Sequence, residues 1–278
     1  MIDLHLHTTA SDGLLSPEAL VARVAAAGVT VMAVTDHDTV AGIDRAETAA
    51  VARGLRLIPG IEITAIEDGR DVHVLGYFFD RSHKPLADFL DAQRADRRRR
   101  VTEMTARLAA LGMPLDTADL VTRHAGHAIG RPALAAALVR AGYVATTAEA
   151  FDRFLGSDAA AFVPRQGAPV RDVVKVIRDA GGLASIAHPG LHRDPALIER
   201  LAAAGSADLD AIEVFHTDHD AATSARMLSL ATARGLLVTG GSDFHGDAAG
   251  RAVGLGRIAL PAERFALLAD RARQARVS

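Results

Sequence analysis

The chain contains no cysteine. Disulfides and thiolate metal sites are therefore both excluded, and any metal must be held by imidazole and carboxylate. Lysine is almost absent: Lys84 and Lys175 are the only two. Phosphate recognition would fall to arginine, whose planar fork suits bidentate contacts. Aromatic residues make up only 4% of the chain, which offers no stacking platform for a long single strand of nucleic acid. Charge of one sign is also missing. Lys and Arg number 31 against 34 Asp and Glu, for a net charge of −3, so there is no broad basic footprint for duplex DNA or a membrane surface. No apolar run reaches the roughly 18 residues of a membrane span, and no basic segment precedes a shorter one at the start. No signal peptide is expected, and cytoplasmic residence is the default. Fixed-period repeats and low-complexity segments are absent as well.

What is present fits a globular protein. The chain has 278 residues, 49% hydrophobic and 23% charged, enough for one large barrel or two modest domains. Short apolar runs with β-branched residues predict seven strands, at 2–7, 29–35, 55–64, 71–79, 183–188, 211–216 and 236–242. Alanine-rich segments with helical spacing lie between most of them, at 17–27, 41–53, 170–180, 195–204 and 221–234. Alternating strand and helix predicts a mainly parallel α/β sheet, open or closed into a barrel. The turn signal "IEDGRD" makes the third and fourth strands a hairpin rather than a crossover.

Residues 83–168 break the alternation. One long helical pattern covers 86–111, and shorter ones follow at 133–141 and 147–154. This block reads as a helical insertion, carried by a barrel made of 1–82 and 169–278. The run Arg97–Arg100 within it reads as a solvated face, with room for one side chain to turn toward a cleft.

Histidine positions carry the functional signal. His5 and His7, at i and i+2 on the first strand, point to one face. His37 follows the second strand in "VTDHDT", Glu62 ends the third in "PGIEIT", and His73 opens the fourth in "DVHVLG". His188 ends the fifth in "SIAHPG", and Asp243 and His245 follow the seventh in "GGSDFHG". Asp12 stands five residues past His7. Almost all sit where a strand gives way to its loop, the rim on which such folds build active sites. Taken singly, each has an ordinary reading: a hydrogen-bonded structural histidine, or a turn or cap aspartate as for Asp12, Asp36 and Asp38. Together they would be costly to bury without a cation. The donor set suits zinc, manganese or iron, and it exceeds what one ion needs. Such clusters are suited to phosphate esters.

The motifs "DLHLHTTASDG", "VTDHDTVAG", "IPGIEIT", "VHVLGY", "IAHPG" and "GSDFHG" resemble the signatures of the PHP (polymerase and histidinol phosphatase) family. More narrowly they resemble its stand-alone metal-dependent phosphoesterases, 3′,5′-nucleotide bisphosphate phosphatases among them. The resemblance implies an α/β fold, a distorted seven-stranded (β/α)7 barrel with a helical insertion. It implies two or three divalent cations per chain, Mn²⁺ first, with Zn²⁺, Fe²⁺ or Mg²⁺ as alternatives. A first metal would use His5, His7, Glu62 and Asp243. A second would share Glu62 as a bridge with His73 and His188. A third would use Asp12, His37 and His245; some family members have histidine in place of Asp12.

Arg131, in "IGRPALA", stands where the family binds substrate phosphate, and Arg165 in "VPRQGAP" is read as a second residue able to reach one. The family often has histidine where this chain has Ala133. His216 and His219 in "EVFHTDHD" are read as substrate contacts or structural groups, and His83, His124, His127 and His192 receive no site role. The implied reaction is hydrolysis of a phosphomonoester, with His37, His245 or metal-bound water supplying the leaving-group proton and Arg131 clamping a phosphate. The favoured substrate is a nucleotide 3′,5′-bisphosphate such as pAp, a small phosphorylated partner; oligomeric state is not readable. The rival readings are a 5′–3′ exonuclease on short 5′-phosphorylated RNA and a non-catalytic metal-binding regulator. Binuclear amidohydrolases need a carboxylated lysine at a strand end, a place neither Lys84 nor Lys175 occupies.

Overall fold

Seven apolar segments form seven strands: β1 Ile2–Asp3, β2 Val31–Val34, β3 Arg56–Glu67, β4 Arg70–Tyr77, β5 Leu183–Ile186, β6 Ala211–His216 and β7 Leu237–Gly241. The computed structural model describes residues 1–116, 118, 120, 129–192, 194–247 and 254–275. Neighbours in space follow chain order from β1 to β7. The ladders β1–β2–β3 and β5–β6–β7 are parallel, while β3–β4 and β4–β5 are antiparallel. The hairpin read from "IEDGRD" is present, with Glu67 opposite Arg70. Its two turn residues, Asp68 at φ 49° and Gly69 at φ 73°, are both left-handed, as a type I′ turn requires.

The sheet closes on itself. Leu4 N–H donates to the Gly240 carbonyl at 3.2 Å and His7 N–H to that of Phe244 at 3.0 Å. Leu6 forms an isolated parallel bridge with Phe244. Strand β1 is shorter than the 2–7 predicted from the apolar run. Past Asp3, side chains take over ladder positions. The Asp3 carboxylate accepts from His5 N–H at 3.2 Å and Ser242 N–H at 2.9 Å, and Thr35 Oγ accepts from Leu6 N–H at 3.1 Å. His5 and His7 therefore lie on an irregular segment just beyond the strand.

Helices cover the sheet, each for a local reason. Pro17–Ala26 starts at Ser16, whose hydroxyl accepts from Ala19 N–H, with Pro17 in the first turn. Its buried Leu20, Val21 and Val24 pack in one cluster with Leu6, Met32, Val34, Ala46, Ala50 and Phe244. Each such aliphatic side chain contributes roughly 1.5–3 kcal/mol on burial. Ala262–Ala275 is a helix that the sequence reading did not place. Its buried residues, Phe265, Leu268, Ala269 and Ala272, recur at helical spacing.

The chain divides into two compact units, Met1–Phe89 with Ala168–Ser278, and Leu90–Gly167. The division falls inside the helix Lys84–Ala110, past the boundary at 83 read from the sequence. The second unit has its own core, including Val101, Met104, Leu108, Leu134, Leu138 and Leu155. In it, the arginine run is not a solvated face. Arg97 and Arg100 are buried, Arg100 Nε donating to the Val163 carbonyl at 3.0 Å, while Arg99 pairs with Asp96 and Glu103. A 27-residue helix turns all sides toward something, so a run of four residues spans more than its wet face. No described helix is long and apolar enough to cross a membrane.

Closure depends on a close approach at Gly241. A Cβ there would lie 2.3 Å from the His5 nitrogen and 2.5 Å from the His5 Cβ. Gly241→Ala should cost about 1–3 kcal/mol by forcing the seam apart. Urea denaturation followed by circular dichroism checks this, and an unchanged midpoint would refute the tight seam.

Candidate metal centre

The closed sheet gathers histidines around one carboxylate; Glu62 and His73 lie within β3 and β4 rather than at the strand ends read from the sequence, because both strands run past them into the hairpin. Glu62, on β3, is buried. Its Oε1 lies 2.7 Å from His73 Nδ1 and 3.1 Å from His188 Nε2. Its Oε2 lies 3.4 Å from His5 Nε2, 3.3 Å from His7 Nε2 and 3.2 Å from His37 Nδ1. One oxygen thus faces two imidazoles and the other faces three. Asp243, just after β7, is the second buried carboxylate. Its Oδ1 is 3.4 Å from His5 Nε2, 3.2 Å from His7 Nε2 and 3.4 Å from His245 Nδ1. Asp12, half-buried, is a third carboxylate, 3.7 Å from His7 Nδ1, 3.7 Å from His37 Nε2 and 3.3 Å from His245 Nε2.

The structure therefore brings His5, His7, Asp12, His37, Glu62, His73, His188, Asp243 and His245 together. Three donor groupings match cation size: His5, His7 and Glu62; His37, Glu62 and His73; and His7, Asp12, His37 and His245. His7 and His37 each serve two groupings, a sharing that the sequence reading did not anticipate for either histidine. A fourth grouping, His5, His216 and Asp243, adds a residue read from sequence as a substrate contact or structural group.

The loops are held by hydrogen bonds. Asp36 accepts from Thr8 N–H at 2.7 Å, Thr8 Oγ at 2.6 Å and Ser11 Oγ at 2.7 Å, which fixes the segment carrying Asp12. Burial raises its carboxyl pKa. Asp38, left-handed at φ 52°, accepts from Thr64 N–H through its carboxylate. Neither caps a helix; the helix Ile43–Val51 is preceded by Gly42. His188 is also left-handed, at φ 30°, and its N–H donates to Glu213 at 2.7 Å.

Several ring nitrogens make no hydrogen bond. Both nitrogens of His7, Nδ1 of His37 and Nδ1 of His188 are buried without a hydrogen bond among the described residues. The carboxylate oxygens near His7 are within ion-pair distance but outside hydrogen-bond geometry. Polar atoms so placed are costly in a dry interior. The His7 and His245 rings stack at 4.1 Å, an arrangement poorly suited to two imidazolium charges. Bridging carboxylates, orphaned imidazole nitrogens and the absence of thiolate all fit divalent cations.

Titration behaviour follows burial and charge. Burial disfavours a charged His7, but Asp243 and Glu62 outweigh it and hold its pKa at about 10. For His37, burial wins and pushes the pKa down to about 3. Burial opposes ionisation of Glu62 and Asp243, yet the surrounding histidines hold both well below the usual carboxylate range. The floor of the centre, His5, His7, Glu62 and Asp243, is closed to solvent, while the His73 side chain keeps 25% exposure and Asp12 22%. Any ligand must approach from that edge.

The remaining sequence-read residues fall elsewhere. His216 and His219 are buried, with ring nitrogens engaged by protein groups: His216 with Asp218 N–H and Asp243, His219 with the Val214 carbonyl and Gly190 N–H. Of the two roles read for them, substrate contact or structural group, these hydrogen bonds are those of a structural group. Arg131 and Arg165 lie in the second unit. The Arg131 guanidinium lies 5.9 Å from the Phe151 ring and 5.6 Å from the Phe162 ring. His124 and His127 lie outside the described residues. Lys84 and Lys175 pair on the surface with Asp88 and Asp179, away from any carboxylated-lysine position. The sequence reading missed Glu213, a carboxylate inside the apolar run of β6, 3.0 Å from His5 Nδ1. A charged residue in a strand otherwise written "AI-VF" was the available signal.

Known proteins with related chains place the cluster in context. The PHP domain matches residues 3–162. A 5′–3′ exoribonuclease of Haemophilus influenzae is 43% identical over 187 residues, covering 67% of this chain and 68% of the relative. A 3′,5′-nucleoside bisphosphate phosphatase of Chromobacterium violaceum is 35% identical over 256 residues, covering 90% and 88%. A solved structure from Bifidobacterium adolescentis, classed as a metal-dependent phosphoesterase, superposes with a TM-score of 0.86 at 33% identity, over 97% of this chain and 95% of that one. With the domain match running through more than half of its length, the chain belongs to the PHP family.

Proposed function

We propose that this PHP phosphoesterase hydrolyses the phosphoester at the 3′-oxygen of a nucleotide that also carries a 5′-phosphate, with the nucleoside 3′,5′-bisphosphate pAp as its favoured substrate. The carrying observation is Glu62, one buried carboxylate whose two oxygens face separate sets of imidazoles. His5, His7, Glu62 and Asp243 would hold one cation, and Glu62, His73 and His188 a second. Asp12, His37 and His245 would hold a third, assisted by His7. Bound there, divalent cations lower the pKa of water and neutralise charge on phosphoryl oxygens. The chain's own contribution is placement. The closed floor of His5, His7, Glu62 and Asp243 excludes water, and the edge of Asp12, His37, His73, His188 and His245 receives the phosphate. His37 and His245 stand on that edge, beside the place where a leaving 3′-oxygen would take up its proton. Arg131 is the proposed phosphate clamp on the strength of its motif. Acting as a non-catalytic regulator would waste this donor set.

The second reading, 5′–3′ removal of nucleotides from short 5′-phosphorylated RNA, breaks the same kind of bond. The exoribonuclease relative favours it.

With Mn²⁺, the wild type should release phosphate from pAp, and His7→Ala should lower kcat/KM by more than about 100-fold, the loss that outer-shell partners alone can reach. Failure to cleave any nucleotide or sugar phosphate would overturn the enzyme reading; faster turnover of a 5′-phosphorylated trimer than of pAp would move the assignment to the second. Arg131→Ala should raise KM for pAp roughly 10-fold with kcat nearly unchanged, the pattern of lost uniform binding. An unchanged KM removes Arg131 from the site.

Cation and proton compete for the same rings. His7 holds its proton up to about pH 10, so cation binding at neutral pH must release it. Apparent Mn²⁺ affinity should therefore rise from about pH 6 to about pH 8. Calorimetry in buffers of different ionisation enthalpy checks the proton release, and a pH-independent affinity would contradict it.

A further inference from the structure

Strand β6 supplies none of the ligands assigned above, yet polar residues on it and just past it touch the centre. Glu213 is buried, with Oε1 3.0 Å from His5 Nδ1 and Oε2 accepting the His188 N–H at 2.7 Å. His216, also buried, accepts the Asp218 N–H at Nδ1, 3.1 Å away. A ring nitrogen that accepts cannot carry the proton, so the neutral ring is protonated at Nε2, which faces Asp243 Oδ2 at 3.4 Å. That nitrogen is a donor to the carboxylate rather than a metal ligand. His219, just past the strand, donates from Nδ1 to the Val214 carbonyl at 2.9 Å and accepts from Gly190 N–H at 3.0 Å, two residues beyond His188.

Regular pleating would not allow this. Residues 213 and 216 differ by three and belong on opposite faces of a strand. The ladder with β7 slips between them: Glu213 pairs with Thr239 but Phe215 with Gly240. The extra residue, Val214, forms a bulge that brings both side chains to the metal face.

We propose that β6 is the positioning strand of the centre: Glu213 fixes the tautomer of His5 and the left-handed backbone of His188, and His216 orients Asp243. With Nδ1–H held by Glu213, His5 presents Nε2 to the cation. The inference rests on the metal reading of the cluster given above.

The test measures Mn²⁺ binding to the full chain by the electron paramagnetic resonance signal of free Mn²⁺, with the fold of EDTA-treated protein followed by circular dichroism. Glu213→Gln is isosteric but leaves one acceptor for two donors. It should weaken Mn²⁺ binding about 10–100-fold while the EDTA-treated fold stays as in wild type. His216→Leu should weaken it similarly, and His216→Gln, which keeps a donor near Nε2, should bind within about threefold of wild type. Wild-type affinity in Glu213→Gln or in His216→Leu overturns the proposal. So does an equal loss in His216→Gln and His216→Leu, which would make the imidazole itself a ligand. Should Glu213→Gln fail to fold, the His216 pair decides. A wild-type chain that binds no Mn²⁺ is a different result and overturns the functional reading instead.

Discussion

The centre depends on the electrostatics of one carboxylate. Glu62 is fully ionised in a dry interior only because imidazoles surround it, and those imidazoles are tolerated there only because it is charged. Five ring nitrogens lie within 3.4 Å of its two oxygens. Such an arrangement is self-consistent with protons or with cations, but not with neither. The orphaned nitrogens of His7 and the stacked His7 and His245 rings tip the balance toward cations. The barrel brings residues just past β1, β2, β5 and β7, and residues within β3 and β4, to this point.

Much of this is legible in the order of residues alone. Strand ends are marked by turns from apolar runs to His, Asp or Gly, and the hairpin is marked by Asp68-Gly69, whose left-handed angles few other pairs adopt so readily. The ligand set is visible because nearly every donor borders an apolar run. Three features were not readable, for physical reasons. The shortness of β1 comes from Asp3 and Thr35 replacing backbone partners, a side-chain event that periodicity cannot register. Arg97 and Arg100 are buried because neighbouring segments of their unit cover that part of the helix, and composition alone says only that arginine prefers water. The roles of Glu213 and His216 hinge on a single inserted residue in β6, and strict alternation puts one of them on the wrong face.

The division of labour among strands is uneven. The two antiparallel pairings around β4 let His73 and Glu62 meet from neighbouring strands, 2.7 Å apart, without a crossover between them. The parallel strands β5 and β7 deliver their residues from loops. Loops need buttressing, which here comes from Glu213, His219 and the carboxylates of Asp3 and Asp36. All four groups bond backbone N–H of segments that carry donors or adjoin them, His188 among them. The geometry of the centre is thus fixed as much by main-chain hydrogen bonds as by the donors themselves.

The seam between β1 and β7 joins residues 239 positions apart, Asp3 to Ser242. His5 and His7 leave the ribosome well over 200 residues before Asp243 and His245. Until β7 has been made, a nascent chain therefore carries an incomplete centre, its first two imidazoles with neither Asp243 nor the strand that shelters them. Loop closure over such a separation is slow, since its entropic cost precedes its reward. The cluster forms only when the barrel does, and a chain truncated before β7 would lack the centre and its seam together.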